Sequence, residues 1–239
     1  INKLIDSHGS FDEAIRYLYL LEVRNPDWKK EDLVKLEDFI LFMIEYLFQK
    51  VGRDKTKFIR TFLMDTRLNF FTSIFSLTGR GIGCSTQTEL EVRMGDLAII
   101  PCHRTSYNGF SGGYFKVEND KIVDIIPENP ETYILFKSFQ ASESIGCGTC
   151  LIGDICSHYC MGTNMEVNKD FFIPVETVCR MEFVKVISIV KGLMGIGVLD
   201  MALRLIGNNG VSEFNKKVAQ ILYIKEIIEK GEESEFFRG

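Results

Sequence analysis

The segment CGTCLIGDICSHYC, residues 147–160, places four cysteines within fourteen residues and constrains the fold more than any other part of the chain. Its spacing is C-x2-C-x5-C-x3-C. Cys84, Cys102 and Cys179 bring the total to seven cysteines in 239 residues. Structural core cysteines rarely occur at this density, so the segment predicts a place where several thiolates meet around a metal.

Two other uses of cysteine compete with that interpretation. No signal peptide is visible in the sequence, so we expect a cytoplasmic, reducing compartment where disulfides are disfavoured, and the odd cysteine count points the same way. Iron–sulfur clusters take thiolate ligands at spacings of this kind. Zinc stays open, because C-x2-C is also half of a zinc ribbon. Against zinc, the chain has no second C-x2-C, and His8, His103 and His158 do not have a zinc-finger spacing.

Composition indicates a soluble globular protein, with 46% hydrophobic and 26% charged residues. The net charge of −5 gives no reason to expect a nucleic-acid partner or an anionic membrane partner. The most apolar stretch, 183–206, is interrupted by Lys185, Lys191, Asp200 and Arg204. It therefore predicts a buried or amphipathic helix rather than a membrane span.

Periodicity and turn residues predict an α+β protein. A helix over 11–17 and a buried strand over 18–24 precede Asn25-Pro26-Asp27. The remaining expected elements are a helix over 28–50, helical pieces over 55–77, a hairpin of 89–93 with 97–101, a hairpin of 113–117 with 121–126, and helices over 180–206 and 212–232. Residues 131–141 fit neither pattern clearly.

The block CGTCLIGDICSHYC, with GCSTQTELEVRMGDLAIIPCHR upstream and PVETVCRME downstream, resembles the SPASM domain of radical S-adenosylmethionine (radical SAM) peptide and protein maturases. The resemblance runs from about residue 80 to about residue 185. It implies an iron–sulfur domain of β-hairpins and flanking helices, preceded by the C-terminal remnant of a partial (β/α) barrel. The expected division is 1–78 for the barrel remnant, 79–185 for the SPASM domain and 186–239 for C-terminal helices.

The resemblance also implies two auxiliary [4Fe–4S] clusters with interleaved ligands. One would be held by Cys147, Cys150, Cys156 and Cys179, and the other by Cys84, Cys102 and Cys160. The second has three thiolates only, so its fourth iron is left for another protein group, water or a thiolate of the substrate.

Departures from the family pattern suggest further candidates. The stretch from Gly95 to Cys102 is longer than in relatives, which predicts a bulge in that hairpin. His103 stands where sulfatase-maturing relatives carry a catalytic Asp, so it is a candidate base, the alternative being a histidine hydrogen-bonded beside the cluster. Arg24 and Asn25, at the end of the expected barrel strand, are candidates for S-adenosylmethionine contact, although Asn25 is also suited to cap the next helix.

The C-x3-C-x2-C motif that starts radical chemistry in this family does not occur in these residues. S-adenosylmethionine and a third cluster are therefore expected only together with a barrel outside them. The resemblance implies the auxiliary-cluster portion of an enzyme that modifies a ribosomal peptide, with thioether cross-linking preferred. Sulfatase-type oxidation of Cys or Ser and a non-enzymatic zinc or iron–sulfur interaction domain are the alternatives. Expected partners are a peptide or protein substrate and a reductant such as a ferredoxin or flavodoxin, with neither nucleic acid nor membrane.

Overall fold

The computed structural model describes residues 28–64, 73–75, 91–108, 110–139, 144, 146–156, 160–207 and 212–232. These residues form helices and one four-stranded antiparallel sheet in the order β1-β2-β3-β4, which confirms the α+β class. The helix expected over 11–17 and the strand expected over 18–24 lie outside the described residues.

The helices are α1 Lys30–Lys50, α2 Lys55–Met64, α3 Pro130–Ser138, α4 Met161–Asn168, α5 Glu176–Gly195, α6 Leu199–Gly207 and α7 Ser212–Lys230. The strands are β1 Glu91–Arg93, β2 Ala98–Ile100, β3 Gly113–Glu118 and β4 Lys121–Pro127. Short 3₁₀ turns cover Ser73–Phe75 and His103–Asn108.

Helices α1 and α5 form the centre of the main core. The buried face of α1 repeats at helical spacing and includes Ile40, Met43 and Ile44, none of which is exposed. The two helices approach closely at Gly192, where an added Cβ would lie 2.6 Å from the Ile44 Cδ1 atom. Helix α5 is thus packed directly against α1, and it carries Cys179 in its first turn.

The single helix expected over 180–206 is wrong, because the chain bends by 112° between α5 and α6. Gly197 takes a left-handed conformation with φ +67°. The Gly197 amide donates to the Met194 carbonyl at 2.9 Å, and the Val198 amide donates to the Leu193 carbonyl at 3.0 Å. These bonds form a Schellman motif, which ends α5.

No single helix in the described ranges is both long enough and apolar enough to cross a membrane. Only α5 and α6 taken together, as a pair bent at their junction, meet that test of length and composition.

Both expected hairpins are present. In the first, β1 pairs with β2 in a regular register from Glu91 with Ile100 to Arg93 with Ala98. The bulge expected in this hairpin does not occur in these three pairs. In the connection 94–97, Leu97 takes a left-handed conformation with φ +59°.

In the second hairpin, Asn119 and Asp120 form a two-residue turn with φ of +50° and +60°, the backbone sign of a type I′ turn. A register shift between Lys116 and Val117 marks a bulge here instead. The β4 strand is exposed along its whole length, whereas β2 is buried and leads directly to Cys102.

A smaller aromatic cluster lies beside the main core. Its buried members are Cys102, Phe136, Phe139, Met161 and Phe171. Helix α5 runs without interruption through residue 185, the expected end of the middle segment. The three-part domain division stays a prediction.

Candidate functional site: two sets of thiols

Residues 147–156 fold as a series of tight turns, which keeps their thiols on a short loop. The Cys150 amide donates to the Cys147 carbonyl at 3.3 Å, and the Gly153 amide donates to the Cys150 carbonyl at 2.9 Å. A Cβ on Gly153 would lie 2.8 Å from the Cys147 carbonyl oxygen. Only glycine therefore fits where these carbonyl groups converge.

The same loop is fastened to the helices beneath it. Ile152 and Ile155 are both buried in the main core. The Asp154 amide donates to the Gln220 Oε1 atom of α7 at 3.0 Å. Cys150 and Cys156 pack half-buried against that core, and Cys147 packs against the aromatic cluster. The loop is thus supported on two sides by packed elements.

Cys179 approaches this loop from α5. Burial of its thiol raises its pKa to about 12, and the charges of Cys147 and Cys150 add to the effect. The residue as a whole is nevertheless solvent-exposed. For proton binding, the protein packed around the sulfur matters more than the accessible area of the residue. We call Cys147, Cys150 and Cys179 the first thiol set, because their charges act on one another.

Burial also raises the pKa of Cys147, and the Cys150 charge adds to this while a hydrogen bond from Ser144 opposes it. Thiols with raised pKa values are protonated at neutral pH, so metal binding by Cys147 and Cys179 would release protons.

A second thiol set, Cys102 and Cys160, lies at the start of α4. Both residues are buried, at 4% and 7% exposure. Burial raises the pKa of Cys102, the Cys160 charge adds to this, and backbone hydrogen bonds from Thr105 and Arg104 oppose it. Cys160 is the N-cap of α4, and its Sγ accepts a hydrogen bond from the Thr163 amide at 3.4 Å. Two residues that are 58 positions apart in sequence are thus neighbours.

The turn after Cys102 is locked against α4. Thr105 donates its hydroxyl to the Cys102 carbonyl at 2.7 Å. The Arg104 guanidinium bonds the Glu166 carboxylate at 2.9 Å. Gly162 permits the close approach, because an added Cβ would lie 3.0 Å from Cys102 Sγ and 2.8 Å from Arg104 Cβ.

Asn164 links α4, which begins at the second thiol set, to α5, which carries Cys179. It does so by hydrogen bonds to residues 171 and 175, between these two helices. It is buried, its amide group donates to the Phe171 carbonyl at 3.0 Å, and its Oδ1 accepts from the Val175 amide at 3.2 Å. Val175 in turn is the N-cap of α5, whose first turn carries Cys179. The positions of α4 and of Cys179 are therefore coupled.

The other candidate site residues from the sequence lie partly inside and partly outside the described structure. Cys84, Arg24 and Asn25 lie outside the described residues. His103 is exposed at the start of the 3₁₀ turn, next to buried Cys102. Cys156 ends the cysteine loop, where its amide donates to the Ile152 carbonyl at 2.6 Å. None of the six cysteines in the described part of the chain forms a disulfide.

The two sets provide donors of the right kind for a cluster but not a finished ligand geometry. Within the described ranges, no three His, Cys, Asp or Glu side chains are gathered closely enough to hold a metal ion. The fit rests on the chemistry and grouping of the donors: thiols from separate elements are brought near one another in two places. Metal sites of this kind commonly close only as the metal binds.

Several supporting residues were not predicted from the sequence: Thr105, Thr163, Asn164 and Gln220. Thr105 follows Cys102 by three residues, a spacing at which a threonine side chain can bond the backbone of a turn. The other three act across elements, and their spacing in sequence carries no such signal.

No protein family, curated protein or solved structure compared with this chain matches it.

Proposed function

We propose that this chain is the auxiliary-cluster portion of a radical SAM maturase, and that it holds two [4Fe–4S] clusters. The observation that supports this most is the grouping of the described thiols. Cys179 is near Cys147 and Cys150, and Cys102 is near Cys160. The SPASM-like motif implies that Cys147, Cys150 and Cys179 bind one cluster. It implies that Cys102 and Cys160 bind the other.

In this proposal the first thiol set and Cys156 hold one cluster, and the second thiol set and Cys84 hold the other. The tight turns of the loop and the core packing of Ile152 and Ile155 fix the first group of ligands. The locked turn at Cys102 and the N-terminus of α4 fix the second. When bound, such clusters transfer electrons or offer an iron to a substrate thiolate.

The preferred reaction is thioether cross-linking of a cysteine-containing peptide. It is favoured because the second cluster has three thiolates and His103 is exposed beside it, where it can exchange a proton with a bound peptide. Oxidation of a Cys or Ser side chain by a sulfatase-type maturase uses the same arrangement. The proposal includes a cytoplasmic location and a ferredoxin or flavodoxin as reductant. S-adenosylmethionine and a third cluster are part of the proposal only together with a barrel domain, because these residues do not contain the C-x3-C-x2-C motif.

A non-enzymatic zinc-stabilised interaction domain is the second candidate. It is favoured by the C-x2-C pair Cys147 and Cys150, because this spacing is also half of a zinc ribbon.

Paired serine variants test the partition. The Cys147→Ser/Cys150→Ser variant and the Cys102→Ser/Cys160→Ser variant, purified without oxygen, are each expected to keep about four of about eight irons and sulfides. The Ser188→Ala variant is the control, because Ser188 is buried in α5 and contains no sulfur. If either paired variant lost all iron, or neither lost any, the two-cluster partition would be wrong.

A further inference from the structure

The hairpin formed by β3 and β4 has one face that contains only apolar side chains. Residues directly opposite each other in an antiparallel pair have their side chains on the same face. Val117 is opposite Ile122, and Phe115 is opposite Ile125. We call these four residues the arm face. Val117, Ile122 and Ile125 are 42%, 62% and 52% exposed, whereas the solvent side of an antiparallel sheet normally carries polar residues.

The other face of the hairpin carries balanced charges. Lys116 is opposite Asp124, and Glu118 is opposite Lys121. Lys116 and Glu118 also form an ion pair along β3, with 2.8 Å between Nζ and Oε1. Positive and negative side chains thus alternate on this face, and each has a neighbour of opposite sign. The charges are therefore satisfied within the hairpin, and the arm face is what remains to be covered.

The bulge in the hairpin separates these two faces. Val123 is the extra residue of β4, because its two neighbours in the strand are opposite adjacent residues of β3. In a regular strand, Lys121 and Asp124 are three positions apart and would have side chains on opposite faces. The bulge places both on the charged face and leaves the arm face without a polar residue.

The outer edge of β4, the last strand of the described sheet, is protected against a further strand. Because Phe115 donates its amide to the Leu97 carbonyl at 3.1 Å, away from β4, the opposite residue Ile125 has its amide at this outer edge. The Asp124 Oδ1 atom accepts that amide at 2.8 Å. Pro127 has no amide hydrogen to donate. A bulge, a proline and an edge charge all disfavour strand addition, so a partner docks on the face rather than on the edge.

We propose that two copies of this chain pack against each other through the arm face. In a twofold-symmetric contact the same patch of each copy meets itself, so a charge near the axis would meet its own like charge. The arm face contains no charged residue, and a second copy supplies an apolar surface of matching size. The two hairpins then lie like stacked sheets, about 10 Å apart, with their charged faces outward.

The size of the arm face sets the strength of the contact. Two strands of this length form a surface about 20 Å long and about 10 Å wide. This is well below the roughly 800 Å² that each partner contributes to a stable interface. We therefore expect a weak dimer, with a dissociation constant on the order of 10–100 µM. The inference is independent of bound clusters, because the arm face contains no cysteine.

Sedimentation equilibrium of the wild-type chain, with a thiol reductant and without oxygen, tests the proposal. The expected result is a reversible monomer–dimer equilibrium between about 1 and 500 µM. The Ile122→Glu variant brings like charges together in the dimer and is expected to weaken it by about a hundredfold. The Val34→Glu variant is the matched control, because Val34 is an apolar residue of α1 with 54% exposure and the charge change is the same. It is expected to dimerise like the wild type.

A second variant guards against misfolding of the first. Ile125→Thr keeps the branched side chain that suits a strand, and it is expected to weaken the dimer by about tenfold at an unchanged Tm. A wild-type chain that stays monomeric at every concentration would overturn the proposal and leave the arm face to a different protein. A dimer that is weakened by neither arm-face variant, or as strongly by Val34→Glu, would overturn it as well.

Discussion

The Gly162→Ala substitution is expected to remove one cluster while leaving the other. An added Cβ at this position would lie 2.8 Å from Arg104 Cβ and 3.0 Å from Cys102 Sγ. Carbon atoms pack at about 3.5–4.0 Å, so the turn carrying Arg104 must retreat by about 0.7 Å. Arg104 is also held by Glu166. The turn therefore has to move as a unit and displace Cys102 from Cys160.

The expected cost to folding is small compared with the cost to metal binding. Overpacking of this kind costs about 1–3 kcal/mol, and the better helix propensity of alanine returns up to about 1 kcal/mol. The free energy of unfolding of the metal-free chain should therefore fall by about 0–3 kcal/mol. Iron content should fall from about eight to about four per chain, because each cluster contains four irons.

Two other glycine variants provide matched comparisons for the iron assay. Gly153→Ala places a Cβ 2.8 Å from the Cys147 carbonyl oxygen, so it should remove the other cluster and leave the one at Cys102. Gly195→Ala, at the end of α5, meets no atom within 4 Å and should retain both clusters. The reasoning is refuted if Gly162→Ala binds as much iron as Gly195→Ala.

Three further predictions concern other parts of the chain. In the metal-free protein, iodoacetamide should label Cys179 about fifty-fold more slowly at pH 8 than an ordinary thiol. Its pKa of about 12 lowers the thiolate fraction about a thousandfold. Because a more basic thiolate is more nucleophilic, its higher reactivity raises the labelling rate about twentyfold and offsets part of this loss. The rate should rise with pH toward 12, and peptide mass spectrometry that finds Cys179 labelled as fast as in urea would contradict this. The buried Lys185–Glu182 ion pair, at 2.8 Å, predicts that Lys185→Met lowers the free energy of unfolding by about 3–5 kcal/mol while the Glu182→Leu/Lys185→Met double variant recovers most of it. Equal urea midpoints for the two variants would count against that. Asp120→Gly should raise the free energy of unfolding by about 0.5 kcal/mol, since glycine accepts φ +60° without strain, and any loss in the same urea assay would argue against the turn geometry.

Local signals in the sequence were sufficient for several elements. The helix expected over 28–50 is observed as Lys30–Lys50, because its apolar residues repeat at helical spacing. The second hairpin was predicted to within one residue at each strand end, because Asn119 and Asp120 favour a tight turn. The division of the cysteines between two clusters stays a prediction from the motif resemblance.

Features that depend on tertiary contacts were not accessible from the sequence. The bend between α5 and α6 lies in an apolar stretch that contains Gly192, Gly195 and Gly197, and nothing in its composition fixes which glycine takes a left-handed conformation. The α3 helix is short and weakly patterned, so residues 131–141 gave no clear prediction. The Thr163 hydroxyl is buried and has no hydrogen-bond partner among the described residues, and no pattern in the sequence signals this.

Elemental analysis of the wild-type chain, purified and handled without oxygen, tests the central claim most directly. Two cubane clusters predict a brown protein with about eight irons and about eight acid-labile sulfides per chain. A colourless chain that contains zinc in stoichiometric amount and no sulfide would contradict the account.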